Sequence, residues 1–441
     1  MLFCYNLIVD EKMWGATMTI GEKIKGIRRG LGLSQENLAH DLGCGIATIS
    51  RIERGLADCS PEMLAAIKAT LGIEGAPFTD AEKTTFRQRF YVWGELLGDR
   101  RMDDARDLGQ ELSVILKLPF EQDLVMLYRL YEISQMLSHG QNDDASRKLD
   151  KLVDQQDQMS GEHMYRYLRN RAGLDYGKDN HQALKFNLQA LEFQSHSLVN
   201  PASLYYNIAG CYFMLNHPVQ SLIYLEKAGR LHNPTQLDVL GVFIDHVFAG
   251  NYLKMGELNL AKERLDRALI KAEAIGRKLG RKKYIGMILH LLGVYHQKLN
   301  DHAEALNHFN RAAQYFWEGG SDHLDNLCSQ IRCLITLKRQ AEAKDLLKNA
   351  TEHAKNSEIH AVIFGALEYA LTLRNPQSVQ HLEGHAIPYL IQKNEFFHAL
   401  DFCHDLECYH KKQGNAKKSL ETAAIVRDIY AKIFFVNGTF I

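Results

Sequence analysis

Arg51 lies in a short run, Ile46-Ala47-Thr48-Ile49-Ser50-Arg51-Ile52-Glu53-Arg54, that starts after Gly45 and is closed by Gly55. A guanidinium can hold the major-groove edge of guanine through two N–H bonds, a contact that discriminates by about 1–3 kcal/mol. Ile46 and Ala47 could only touch a thymine methyl. A second set of polar side chains recurs further along the chain: Arg169, Tyr206, Asn207, His246, Asn251, His290, Gln297 and Arg332. Amides, imidazoles and guanidiniums in a row suit an extended peptide. Asparagine both donates and accepts, so it can bracket one peptide unit.

Other reactive groups point to less. His381 and His385 stand four apart, as zinc ligands on one helix face do, but no third ligand is defined. Cys403-His404 with Cys408 and His410 matches no zinc spacing and reads as buried structure. The eight cysteines include no C-x-x-C pair, which fits a reducing cytoplasm without disulfides. Arg281-Lys282-Lys283 reads as a solvated helix start. There is no phosphate-binding glycine loop and no nucleophile motif. The expectation is therefore no catalytic residue, no metal and no cofactor.

The elements around Arg51 come first. Ile20, Ile24, Ile27 and Leu31 recur at helical spacing. A second helix starts at the N-cap Ser34 and ends at Gly43; a third runs from Ile46 to Gly55. A fourth begins at Ser60-Pro61, with proline at its first position. Two short helices joined by a glycine turn make a helix-turn-helix, whose second helix enters the major groove N-terminal end first. Gly45, Ile46, Ala47, Ser50 and Arg51 then point outward.

The stretch Ser34–Gly55 resembles the Cro/C1-type repressor family through Ser34-Gln35, Leu38-Ala39, Gly43, Ile49-Ser50-Arg51-Ile52-Glu53 and Gly55. The resemblance implies that Gln35 and Thr48 anchor phosphates, with Arg54 beside them. It also implies that Arg28 pairs with Glu53 and fixes how the helices cross. Between Met18 and Gly75, Lys23, Lys25, Arg28, Arg29, Arg51, Arg54 and Lys68 are cancelled by Glu22, Glu36, Asp41, Glu53, Asp58, Glu62 and Glu74. Affinity for DNA follows phosphate neutralisation, so one neutral copy should bind weakly. Two copies on a palindrome are expected, in a homodimer or a tetramer.

Behind this head the chain repeats itself. Ala209, Ser221, Leu225 and Ala228 form one unit, Ala249, Ala261, Leu265 and Ala268 another, and Gly293, Ala305, Phe309 and Ala312 a third. In each, a small residue is followed 12 positions later by a second, then a large one 4 on, then Ala 3 on. That is the tetratricopeptide (TPR) pattern, in which small residues let paired helices approach and large ones fill the groove. Weaker units hold Ala105, Ala145 with Leu149, Ala183 with Ala190, and Ala343 with Leu347 and Ala350. About nine helix pairs are expected, coiled into a superhelix whose first helices line a concave face. That register puts the second polar set inward.

A helix-turn-helix, a short linker and a TPR array together resemble the RRNPP peptide-pheromone receptors of Gram-positive bacteria. The segment Leu204-Tyr205-Tyr206-Asn207-Ile208-Ala209 is similar to the repeat of that family carrying a peptide-binding asparagine, which places the role on Asn207. The resemblance implies an intracellular receptor for a short signalling peptide, its oligomer geometry switched by that peptide. Some members instead dephosphorylate a response regulator with a glutamine. Glu121-Gln122-Asp123-Leu124 with Tyr128 is similar to those, but Ser113-Val114-Ile115-Leu116-Lys117-Leu118 lacks the glutamine. The alternative is a TPR interaction hub that sequesters a response regulator, with or without phosphatase activity.

The fold class expected is all-α, a helix-turn-helix domain followed by a right-handed TPR-like solenoid. The divisions are a flexible leader at 1–17, the DNA-binding domain at 18–73, a linker at 74–78, repeats at 79–434 for peptide binding and oligomerisation, and a tail at 435–441. Only 8 prolines in 441 residues suit helices, and a net charge of −1 excludes a global basic excess. No apolar stretch is long enough to span a membrane. Met18 reads as a natural start, and the leader lacks a secretory cleavage pattern. The apolar tail from Ile433 is expected to cap the repeats or join a dimer interface.

Overall fold

A computed structural model describes residues 19–72, 78–117, 121–234, 238–371, 376–436 and 439–440. The leader, residues 74–77 of the linker and the tail side chains fall outside the described residues. The chain divides into two compact units, Met1–Asn200 and Pro201–Ile441.

The first unit opens with α1 (Ile20–Gly30), α2 (Gln35–Asp41), α3 (Ile46–Glu53) and α4 (Pro61–Thr70). Each start is capped or tightly turned. Thr19 and Glu22 form a reciprocal capping box, Ser34 accepts from the N–H of Asn37, and Ser60 accepts from that of Met63. Ile24, Leu38, Ala39, Ile49, Ile52, Ile67 and Leu71 close a small core between the four helices. Gly21 lets α1 and α3 touch: a Cβ there would lie 1.7 Å from the carbonyl oxygen of Ile52.

Hairpins of antiparallel helices follow. In the first unit they are α5 (Asp80–Gly98) with α6 (Met102–Leu112), α7 (Gln122–Ser138) with α8 (Asn142–Asp150), and α9 (Gly161–Asp175) with α10 (Asn180–Glu192). The second unit holds α11 (Ala202–Met214) with α12 (Pro218–Leu231), α13 (Val239–Met255) with α14 (Leu258–Leu279), and α15 (Lys283–Lys298) with α16 (His302–Ala313). It continues with α17 (Ser321–Thr336), α18 (Gln340–His353), α19 (Glu358–Leu371) and α20 (Pro376–His381). A π turn at Leu382–Ala386 joins α20 to α21 (Ile387–Gln392), ahead of Pro388, whose ring has no place against a regular preceding turn. The last pair is α22 (Phe396–Lys412) and α23 (Ala416–Phe434).

The periodic small and large residues are what hold each pair. Ala209, Ser221, Leu225 and Ala228 are all 0% exposed, as are Ala261, Leu265, Ala268, Ala305, Phe309 and Ala312. A Cβ on Gly293 would meet the Phe309 ring at 2.4 Å, so the close approach needs glycine. The weaker units obey the same rule: Ala105, Ala145, Leu149, Ala183, Ala190, Ala343 and Ala350 are fully buried. The TPR reading of the fold therefore holds in these side chains. One departure from helix closes the described backbone, a two-residue antiparallel ladder pairing Phe435 with Phe440 and Val436 with Thr439.

Candidate nucleic-acid interface and ligand groove

Helix α3 divides by face. Ile49, Ile52 and Glu53 are buried inward, while Ile46, Ala47, Thr48, Arg51 and Arg54 are exposed and Ser50 is half-buried. Ile46 is 48% exposed, an isoleucine left in water in the first turn of α3. Arg51 forms no ion pair with any described residue, whereas Arg54 Nε donates to the Ser50 carbonyl at 3.1 Å. An apolar contact and an unspent double donor thus share one outward strip.

The strip is oriented from behind. Arg28 Nε and Nη2 donate to the two carboxylate oxygens of Glu53 at 2.6 and 2.9 Å, and Arg28 Nη1 donates to the Leu33 carbonyl at 2.6 Å. Arg28 is 5% exposed and Glu53 1%. Burial alone would raise the Glu53 carboxyl, but hydrogen bonds from Arg28 and Gln35 hold it below its ordinary value. This pair ties α1 to the end of α3, as the resemblance implied.

In the second unit, first helices of successive hairpins bring polar and aromatic side chains together. Tyr206 on α11 stacks on Phe243 of α13, centroids 5.9 Å apart, and Phe243 meets Tyr284 edge-on at 5.4 Å. His246 follows on α13; burial, then the nearby His290, lowers its imidazole to about 4, which keeps it neutral. His290 Nδ1 lies 3.1 Å from Asn326 Oδ1. Asn207, next to Tyr206, is half-buried and its amide bonds no described residue. Neutral donors and acceptors between aromatic faces can bind a peptide backbone and an apolar side chain together.

Residues 24–78 match the helix-turn-helix family model. The front of the chain is a helix-turn-helix domain. No curated protein matches the chain by sequence. Solved structures do match by fold. A Rap protein complexed with Competence and Sporulation Factor aligns with TM-score 0.67 at 17% identity, over 79% of this chain and 98% of that one. NprR in complex with its cognate peptide NprX gives 0.62 at 18%, over 78% and 99%. The apo form of the quorum sensor NprR from B. thuringiensis gives 0.60 at 19%, over 80% and 100%. At these identities the likeness establishes the fold. Among the described residues no helix is long and apolar enough to cross a membrane.

Several side chains expected at the two surfaces are engaged within the protein. In the helix-turn-helix head, Gln35 turns inward and donates to Glu53 Oε2 at 2.6 Å, so that donor is not presented to a phosphate. Asn251 is 0% exposed; its Nδ2 donates to Ser221 Oγ at 2.8 Å and to the Val247 carbonyl at 2.9 Å. It stitches α13 to α12 and lines no groove. Arg332 is engaged already, at 3.1 Å from Asp401 and 3.3 Å from Asp405, with its guanidinium 4.4 Å over Phe402. Gln297 donates to Cys333 Sγ at 3.3 Å. Arg169 belongs to the first unit, where it contacts Tyr165 at 3.3 Å.

The spacing of the sequence missed a set of long-range partners. Lys254 Nζ donates to the Phe213 carbonyl and to Asn216 Oδ1, both at 2.9 Å, and lies 5.2 Å from the Phe397 ring. Asn216 Nδ2 donates to the Asn394 carbonyl at 3.1 Å, joining the turn after α11 to the turn before α22. Asp325 meets His360 Nε2 at 2.9 Å. Nothing local marks these residues, because their partners stand tens of positions away. Among the described residues no group of three or more His, Cys, Asp or Glu is placed to hold a metal. Cys403 is buried, which pushes its thiol up to about 12, and His410 is bonded to Glu383 at 2.9 Å.

Proposed function

We propose that this chain is a cytoplasmic transcription regulator that binds operator DNA as an oligomer and is switched by a short signalling peptide held against its repeats. The observation that carries the reading is the outer face of α3, where Arg51 stands exposed without an ionic partner and Ile46 is exposed as well. A neutral head with one base-reading arginine needs a second copy to reach useful affinity. Peptide recognition draws support from proteins of the same fold, the Rap protein and NprR, which are seen with a peptide or factor bound. On this chain, Asn207 would bracket the peptide backbone, with Tyr206, His246 and His290 beside it. No residue is assigned a catalytic role.

The test is binding of the full chain to DNA upstream of its own locus, followed by fluorescence anisotropy and by the mass of the complex. Two copies of the chain on one palindromic site are expected, with binding weakened by Arg51→Ala. If no upstream region binds in any state, the reading falls. If Arg51→Ala leaves regulation intact and a response regulator co-purifies, the repeats serve as a sequestering hub instead.

A further inference from the structure

A cleft of about 350 Å³ opens between the end of α12, the first half of α13 and the middle of α14. Leu225, Ile244 and Phe248 make its apolar floor, and the Arg264 guanidinium lies 3.9 Å over the Phe248 ring. Two acids are built into the wall, and a third, the exposed Glu226, also lines the cleft. Asp245 is 1% exposed, with Arg264 and Lys271 each at 3.0 Å and Arg267 at 3.6 Å. Asp238 takes Lys271 at 3.0 Å, the His232 ring, and the N–H of Gly241 at 3.0 Å. Burial alone would raise Asp238; hydrogen bonds from His232 and Lys271 bring it to about 2 instead.

Four permanent cations, Arg230, Arg264, Arg267 and Lys271, thus stand at the cleft with three acids, Glu226, Asp238 and Asp245. Arg230, on the rim, makes no ion pair with a described residue, and the side chain of Arg267 is half exposed. A guanidinium carries five N–H donors, so a single contact with Asp245 leaves donors over on both Arg264 and Arg267. Surplus donors and surplus positive charge above an apolar floor fit an oxyanion attached to a small organic body. The volume falls within the roughly 300–1,000 Å³ common to small-molecule sites.

We infer that this cleft binds a small organic oxyanion, a phosphate ester or a carboxylate, with Arg230, Arg267 and Lys271 on the charged group and Ile244 and Phe248 under the organic part. The site is independent of the proposed peptide groove. Gly241, Ile244, Asp245 and Phe248 share one side of α13, and His246 points from the other.

Calorimetric titration of the full chain with AMP, with succinate and with inorganic phosphate tests this. Saturable one-to-one binding of AMP marks a phosphate ester, and of succinate a carboxylate. Either should weaken about tenfold or more in the Arg230→Ala, Arg267→Ala double variant, since each lost charged hydrogen bond is worth about that factor. Asp245 keeps Arg264 and Lys271 in that variant; the exposed single change Arg230→Glu, which leaves the packing untouched, should weaken binding too. Asn207→Ala should change nothing. Absence of saturable binding, heat with inorganic phosphate alone, or unaltered affinity in both arginine variants would overturn the inference.

Discussion

Lys23 Nζ lies 3.4 Å from each carboxylate oxygen of Glu121, and the two side chains are 3% and 2% exposed. Lys23 belongs to the first helix of the head, and Glu121 is the N-cap position of α7. Glu121 also accepts the N–H of Phe78 at 2.7 Å. One buried carboxylate thus ties the head, the end of the linker and the first repeats together. Burial lowers the Lys23 ammonium and Glu121 opposes that shift.

Replacing Glu121 with Ala should release the head from the repeats. Removing one partner of a buried pair costs about 3–5 kcal/mol, because the other charge stays buried and unpaired. Hydrogen exchange should speed up in α1 and around Phe78, while α13 to α16 keep their protection. Unchanged exchange in α1 would show that the pair does not set the docking.

Acid should loosen the head through Glu53. Its folded carboxyl titrates below the ordinary 4.5. Its contribution is therefore complete above that value and is lost as pH falls through the folded pKa. Exchange protection in α1 and α3 is expected to hold at neutral pH and to drop below about pH 4. In Glu53→Ala the head should be less protected at pH 7 and its acid dependence flatter. An acid profile identical in the two proteins would remove Glu53 as the cause.

The two arginines at the end of α3 should separate by type of effect. Arg51→Ala should cost about 1–3 kcal/mol on the cognate site and relax its sequence preference. Arg54→Ala should weaken all DNA alike and reduce the salt slope by about 1. Competition assays at several salt concentrations distinguish them, and a uniform loss from Arg51→Ala would rule out base reading.

The two asparagines form a second contrasting pair. Asn251→Ala should lower thermal stability by about 1–3 kcal/mol, since it removes two buried hydrogen bonds. Asn207→Ala should leave the melt unchanged, because no described residue depends on its amide. A reversed outcome in thermal melts would exchange their roles.

What the sequence made legible was local. The small-to-large period of Ala209, Ser221, Leu225 and Ala228 survives because close helix pairing tolerates little else there. The head was legible because its caps sit at fixed short spacings and its Arg28–Glu53 pair was implied by the resemblance of Ser34–Gly55 to a known family. Asn251 misled because it lies five residues beyond His246, about 140° further round the helix, and so faces α12. Arg332 misled for another reason. Its partners Asp401 and Asp405 come from α22, a distant helix that spacing along α17 cannot reveal.

The most direct measurement is operator affinity of the wild-type chain and Asn207→Ala, titrated with synthetic peptides taken from short secreted reading frames beside the gene. A peptide that shifts wild-type affinity, with the shift lost in Asn207→Ala while peptide-free DNA binding stays intact, is the result expected. Operator binding that no such peptide changes, or a peptide response that survives the loss of Asn207, would contradict the account.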